Sequence, residues 1–544
     1  MSVVGKWLLW LLLGVSALAL AATVVLVVLE ETWRESRELY GRDAFLEGSI
    51  GTELAPLPEL QALPAIFPEL FQPRGPEAGD WIEQYGFLRR GGAGALPVGF
   101  TVSRFRPRSA APSPVEFVGL GCAGCHTSDF DTGSGTAVRV EGAANQALNV
   151  LAWFEAFRTA ILAREEPPGA PGEETPYRLT VGSIVEHVEG ELGWLEEQMI
   201  GVWLLAIRKA FEGGSERRDD PYPAETLLDA HFQPAGPGRT NPFNSLVTGV
   251  LKRPSFGLHA SRPNRGFSRI PAVYNLRHRR WGQYDGGIGD LVGRSALAAL
   301  TIGATVENLA HPEIAHNVRE ATLWLRTLDG PAWADFFPDV PVDAAQAERG
   351  AAVYEEHCFG CHGKPTADGA GWEDGPRTQE VIPVEEIGTD PERAEIRHSP
   401  RLAERLYAMF SDEYSERYGR QHPLAFAREE IRPGPAGSTR GYVAGPIDSA
   451  FARAPFLHNG SVPTLDELIH LRERRTAFVR GRDAYGSDPV GLVVGAPESG
   501  PGEFVFDATE LGNSNHGHDY PWPPDHPDYD REALLDLLEY RKTL

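Results

Sequence analysis

Residues 118–127 read Val-Gly-Leu-Gly-Cys-Ala-Gly-Cys-His-Thr, and residues 357–363 read His-Cys-Phe-Gly-Cys-His-Gly. Two cysteines three positions apart lie on one side of a helical turn, where both sulfurs can add to the vinyl groups of one haem. The histidine that follows puts an imidazole beneath the iron as proximal ligand. With 4 Cys and 16 His in 544 residues, chance predicts roughly 0.001 such motifs. The chain has two, and they contain every cysteine. A zinc site needs four nearby nitrogen or sulfur ligands, and a thioredoxin-like pair does not require the next histidine. The sequence therefore predicts two covalently bound haem c groups, with iron. Cys122, Cys125 and His126 hold one; Cys358, Cys361 and His362 hold the other.

Composition sets the frame around these motifs. A chain of 544 residues exceeds the ~250–300 residues that one hydrophobic core supports, so several domains are expected. Hydrophobic residues at 42% and charged residues at 23% fit a globular protein and argue against disorder. The 59 Gly and 44 Pro imply long ordered loops. Lys+Arg 51 against Asp+Glu 76 gives a net charge of −25. That surface repels a phosphate backbone, so nucleic acid is excluded as a partner and a basic or patchily charged protein is favoured.

From Trp7 to Leu29 the chain runs WLLWLLLGVSALALAATVVLVVL without a charge, long enough to span ~30 Å of hydrocarbon. Lys6 precedes it and Glu30 and Glu31 follow, a bias that keeps the short amino end in the cytoplasm. The expectation is a single-pass inner-membrane anchor with the haem domains in the periplasm. A cleavable signal peptide is the competing reading, from the A-x-A spacings at Ala17/Ala19 and Ala19/Ala21. Its apolar core would be unusually long.

Apolar residues recur at helical spacing over 145–163, 184–211, 343–357 and 531–544. Between the first two, 165–176 reads as a Pro/Gly/Glu loop. Gly286-Gly287-Ile288-Gly289 lacks the spacing of a nucleotide fingerprint and reads as a loop. No 20–50 residue repeat is visible beyond the doubled Cys motif. The expected fold is mainly α, two cytochrome c-like domains with long loops and insertions plus the amino-terminal transmembrane helix. The corresponding segments are the anchor (1–29), a stalk and loop region packed on the first domain (30–110), an N-terminal haem domain (111–335) and a C-terminal haem domain (336–544).

A six-coordinate haem needs a second ligand, normally His or Met. Met409 follows Cys361 at a plausible distance, although an apolar core position is the commoner role for Met. His458, in Phe-Leu-His-Asn-Gly-Ser, and the pair His516 and His518, in Gly-Asn-Ser-Asn-His-Gly-His, compete with it. A lone His of this kind is more often a hydrogen-bonded structural residue.

Several segments together, in this order, resemble the di-haem c-type cytochromes. That superfamily includes bacterial cytochrome c peroxidases, the methylamine-utilisation di-haem enzyme and, closest in layout, the rubber-oxygenase-like proteins. The segments are LPVGF (96–100), VGLGCAGCHT (118–127), GPGR (236–239), PVDAAQAERGAAVYEEHCFGCHG (341–363), APFLHNGSVPTLDEL (454–468) and LGNSNHGHDY (511–520). The resemblance implies His518 as distal ligand of the C-terminal haem. It implies an open or weakly ligated N-terminal haem, where peroxide or dioxygen reacts, and a small cytochrome or cupredoxin as electron partner. Trp281, within Arg277-His278-Arg279-Arg280-Trp281, is the one side chain singled out for catalysis; the bland alternative is an Arg-rich packing and propionate-binding segment. Three functions follow: a peroxidase with the C-terminal haem as relay, a rubber-oxygenase-like dioxygenase, or a non-enzymatic electron carrier. Membrane attachment favours the peroxidase or relay. No residues are assignable to a calcium between the haems.

Overall fold

Residues 100–105 and 112–120 are rich in Phe, Thr and Val, residue types that fit a pleated, half-buried surface. In the computed structural model both are strands. It describes residues 38–544 apart from 72–79, 92–94, 164–178, 189, 217–234, 242–265, 370, 396–406, 431–439 and 496–502. Helix α1 (Gly41–Glu47) leads to β1 (Glu53–Pro56) and α2 (Leu57–Ile66). Then β2 (Phe100–Phe105) and β3 (Pro112–Leu120) close an antiparallel sheet of order β1-β3-β2. β3 delivers the chain into α3 (Cys122–Cys125), the first CxxC turn.

Strands β4 (Thr127–Phe130) and β5 (Val138–Glu141) form a ribbon after it. Helices α4 (Val150–Leu162), α5 (Val181–His187) and α6 (Trp194–Glu216) follow. The core between sheet and helices contains Leu60, Leu63, Phe100, Phe117, Trp153 and Phe157. A short ribbon, β6 (Arg239–Thr240) with β7 (Ser268–Arg269), returns toward the motif. Helices α7 (Leu291–Thr301) and α8 (Pro312–Thr327) share a small-residue core that includes Ala296, Ala299, Ala315, Phe410 and Phe426.

Helix α9 (Ala344–His357) starts where the Asp343 side chain accepts from the Gln346 amide, and its end runs into α10 (Phe359–His362), the second CxxCH turn. Strands β8 (Val381–Pro383) and β9 (Gly441–Val443) pair next. Helix α11 (Leu465–Leu468) precedes the pair β10 (Ala477–Arg480) and β11 (Phe504–Asp507). The terminal α12 (Arg531–Arg541) buries Leu534, Leu537 and Leu538 against α9. Gly350 allows that approach: a Cβ there would meet the Asp536 carbonyl oxygen at 1.9 Å.

The fold is mixed, about 40% helix and 15% strand, and this corrects the expectation of a mainly α protein. The helical segments stand near their expected places. The error lay in the Gly- and Pro-punctuated stretches, which form short antiparallel ribbons rather than loops on helices. The membrane expectation is corrected as well. Residues 7–29 lie outside the described residues, and no described helix is long and apolar enough to cross a membrane. The inner-membrane, single-pass placement is withdrawn on that finding.

One repeat emerges that the letters hide. Gly282 bridges Ile288, and Phe456 bridges Val462, each closing a five-residue loop. Within the loops Gln283 and Leu457 are left-handed (φ 61° and 59°), as are Gly286 and Gly460 (φ 69° and 70°). Each leads to a capped helix: Asp290 caps α7, and Thr464 caps α11. In this register Tyr284 occupies the place of His458.

Glu59 is buried in the first core, and neither carboxyl oxygen has a hydrogen-bond partner among the described residues. Burial raises its pKa from 4.5 to about 8. The stability this gives is complete below the unfolded value of 4.5 and is lost as pH rises through 8. Between those limits the unfolding free energy should fall by up to about 1.4 kcal/mol per pH unit for this site, and the melting temperature with it. Glu59→Gln should flatten that slope; a mutant curve parallel to wild type would refute the buried neutral acid.

Candidate haem sites

The first CxxCH turn sits where two glycines touch. A Cβ on Gly99 (φ +81°) would lie 1.9 Å from the Gly124 amide nitrogen, so the 98–99 turn packs directly on α3. The Asn145 amide donates to the Cys125 carbonyl at 3.0 Å, fixing the far side. His126 then donates from Nδ1 to the Pro271 carbonyl, 3.0 Å away. A carbonyl only accepts, so the proton is on Nδ1 and the Nε2 lone pair is left free. Burial pushes the imidazole down to about 4 against the opposing effect of that bond. Neutral, oriented and with Nε2 open, it has the form that a metal-binding histidine requires.

The second turn repeats the device on different scaffolding. His362 donates from Nδ1 to the Gly445 carbonyl at 2.8 Å, and burial pushes it to about 4. The Trp372 indole N–H donates to the His362 carbonyl at 2.8 Å. Opposite stands His518, with ring centroids 6.0 Å apart and planes inclined at 47°. That gap takes one ion between the rings, with metal–nitrogen bonds of about 2 Å on each side. Burial, then the neighbouring His362, hold His518 near about 3. Its Nδ1 is buried with no hydrogen-bond partner among the described residues.

The loop carrying His518 is strained into position. His518 itself has φ 53°, uncommon for a residue with a side chain. Gly517 (φ +77°) lies back-to-back with Gly388, where a Cβ would come within 2.2 Å of the Gly388 carbonyl carbon. Arg474 Nη1 donates to the Asn515 and Gly517 carbonyls, both at 2.7 Å, and Nη2 to the His518 carbonyl at 3.3 Å. The adjacent His516 points to solvent.

The other sequence candidates are engaged elsewhere. His458 stacks on Tyr442 at 4.0 Å, and its Nε2 is 3.0 Å from the Tyr442 hydroxyl. Met409 packs on the core that also borders Cys122. Trp281 is half-buried beneath the Arg280 guanidinium, 5.2 Å away, and beside Gly289. Among the described residues it has no ring contact with either CxxCH histidine. Arg277 pairs with Asp329 at 2.5 Å, and Arg279 with Asp448 at 2.5 Å, so this stretch is tied down by acids.

Burial pushes Cys122 and Cys358 to about 11 and Cys125 to about 12, the reverse of what a redox-active pair needs. Among the described residues no group of three His, Cys, Asp or Glu side chains converges as a metal cluster. The donor set at both motifs therefore fits a tethered haem better than zinc.

Residues 441–479 match the family model described as RoxA-like, cytochrome c-like. The chain is related to the c-type cytochromes. The matched stretch spans β9, the His458 loop and part of β10. Such a domain implies haem c with its iron and a haem-containing, oxidoreductase-type protein. Two proteins of Sinorhizobium fredii, both called uncharacterised, are similar to it. One, y4iJ, is 29% identical and covers 86% of this chain and 84% of its own length. The other, y4iM, is 31% identical over 50% of this chain and 64% of its own.

Sequence reasoning missed Pro271, Gly445, Trp372 and Arg474. The first two act through backbone carbonyls, which any residue supplies, so no motif could have marked them. Gly517→Ala should displace His518 from His362, costing roughly 1–3 kcal/mol and altering the haem absorption spectrum. Gly133→Ala, where a Cβ meets nothing within 4 Å, is the control and should leave the spectrum intact. Equal spectra from both variants would show that the Gly388–Gly517 contact does not set the His518 position.

Proposed function

We propose that the chain is a di-haem c-type oxidoreductase of peroxidase-like activity. Cys122, Cys125 and His126 would hold the haem of the reactive site. Cys358, Cys361, His362 and His518 would hold a haem that relays electrons. One observation carries this reading. His362 has an imidazole facing it, whereas His126 has no ring partner among the described residues.

Haem iron supplies one-electron exchange when two imidazoles hold it, and an open position for a peroxide when one does. The protein groups do the rest. Pro271 and Gly445 hold the proton on Nδ1 of each proximal histidine, which orients the ring and raises its donor strength. Arg474 and the Gly388–Gly517 contact hold His518 opposite His362. Trp281, under the Arg280 guanidinium and without a ring contact to either CxxCH histidine among the described residues, is given no step in this reading. A surface carrying a net charge of −25 suits a small basic redox protein as the electron donor.

A second reading has specific support. The RoxA-like match favours a dioxygenase acting on an alkene, as in the rubber-oxygenase-like proteins. Stopped-flow mixing with hydrogen peroxide and with a soluble polyisoprene fragment separates the two by which is consumed.

Carbon monoxide added to the reduced protein should bind half of the haem. Binding to neither would leave an electron carrier, and binding to both would remove His518 as a ligand. His518→Ala should bring the bound fraction up to all of it.

A further inference from the structure

Helix α6 is apolar on both sides. Its inner side packs Ile200 and Leu204 into the first core, with Met199, Trp203, Ile207 and Phe211 beside them. Arg208 fixes that side by donating to the Ile161 carbonyl at 3.0 Å and to the Leu179 carbonyl. The opposite side carries Trp194, Leu195, Val202 and Leu205, which are 70%, 41%, 63% and 69% exposed. A surface helix keeps its outer face polar, and one that is apolar all round belongs to an interior. An exposed apolar patch of this kind marks a contact surface.

The order of residues along the outer side says what fits it. At 3.6 residues per turn, Glu191 (just ahead of the helix), Trp194, Leu195, Gln198, Val202, Leu205 and Lys209 fall on one stripe. The stripe is its own complement when it is reversed about the level of Ile200. Glu191 then faces Lys209, Leu195 faces Leu205, and Gln198 faces Val202. Glu191 and Lys209 are exposed, and neither has an ion-pair partner among the described residues. At the helical rise they stand about 27 Å apart, so within one chain they cannot meet.

We propose that two copies of this chain associate through α6, packed antiparallel about a two-fold axis at the level of Ile200. A two-fold contact uses the same patch on both copies, which is the symmetry the stripe carries. Each copy shields Trp194, Leu195, Val202 and Leu205 of the other, and two Glu191–Lys209 pairs close the ends. Val185 on α5 and Phe154 on α4, 38% and 36% exposed, flank the helix and widen the patch. Two helix faces alone bury less than the roughly 1,000 Å² of a stable interface, so the association is one that dilution reverses. It is independent of what either CxxCH motif binds.

Sedimentation velocity of the full-length protein over a dilution series tests it, with Glu191→Lys, Lys209→Glu and the double variant alongside. All three change exposed positions and leave the core intact. Wild type should pass from monomer to dimer as concentration rises. Each single variant sets like charges together and should raise the dimer dissociation constant roughly tenfold. The double variant exchanges the signs and should return the constant to near the wild-type value. Leu205→Glu should abolish the dimer with the far-ultraviolet circular dichroism unchanged. A wild type that stays monomeric at every concentration overturns the proposal. So does a dimer that the single variants leave unmoved, or one that the double variant does not restore. Binding of monomeric protein to phosphatidylcholine vesicles, lost in Leu205→Glu, would also overturn it by assigning the patch to a lipid surface.

Discussion

A backbone carbonyl behind each CxxCH imidazole is the constraint on which the candidate sites depend. Pro271 behind His126 and Gly445 behind His362 each leave the ring one tautomer and one rotation. Without that acceptor, a buried imidazole could turn either nitrogen inward. The two acceptors come from unrelated local sequences, one after the β6–β7 ribbon and one after β9. The equivalence of the two sites is therefore one of hydrogen-bond geometry.

The mixed fold serves this constraint. Short ribbons can bring carbonyls and arginines from distant segments to one place, which a helix cannot do because its own turns occupy its carbonyls. The doubled turn at 282–288 and 456–462 shows the same economy of design. Two loops of one conformation carry Tyr284 and His458 toward shared neighbours: both feel the charges of Arg269 and Arg393. The approach of His518 to His362 is set by the left-handed backbone at His518, by Arg474 and by the contact of two glycines.

Much of the helical framework was legible in the sequence, because α4 carries clear apolar periodicity and α4, α9 and α12 each have an Asn or Asp cap. The strands were not. Phe100–Phe105 and Pro112–Leu120 sit among glycines and prolines, and neither alternates cleanly between apolar and polar residues, so no period-two signal marks them as strands. The CxxCH residues were legible as a motif, and the pairing of His362 with His518 was legible only through family resemblance. What stayed hidden were groups whose role lies in the main chain, such as Pro271 and Gly445. The second occurrence of the turn was hidden for a related reason. Its conformation is shared at two left-handed positions, 283/457 and 286/460, yet only Gly286/Gly460 and the helix-starting Leu291/Leu465 keep the same letter.

The acceptor of His126 lies 145 residues downstream, and that of His362 lies 83 downstream. Closing loops of that size comes late in folding, after local helices and hairpins have formed. A nascent chain thus exposes each cysteine pair well before its imidazole has acquired a fixed direction. A porphyrin joined to either pair in that interval would be retained by its thioether bonds alone.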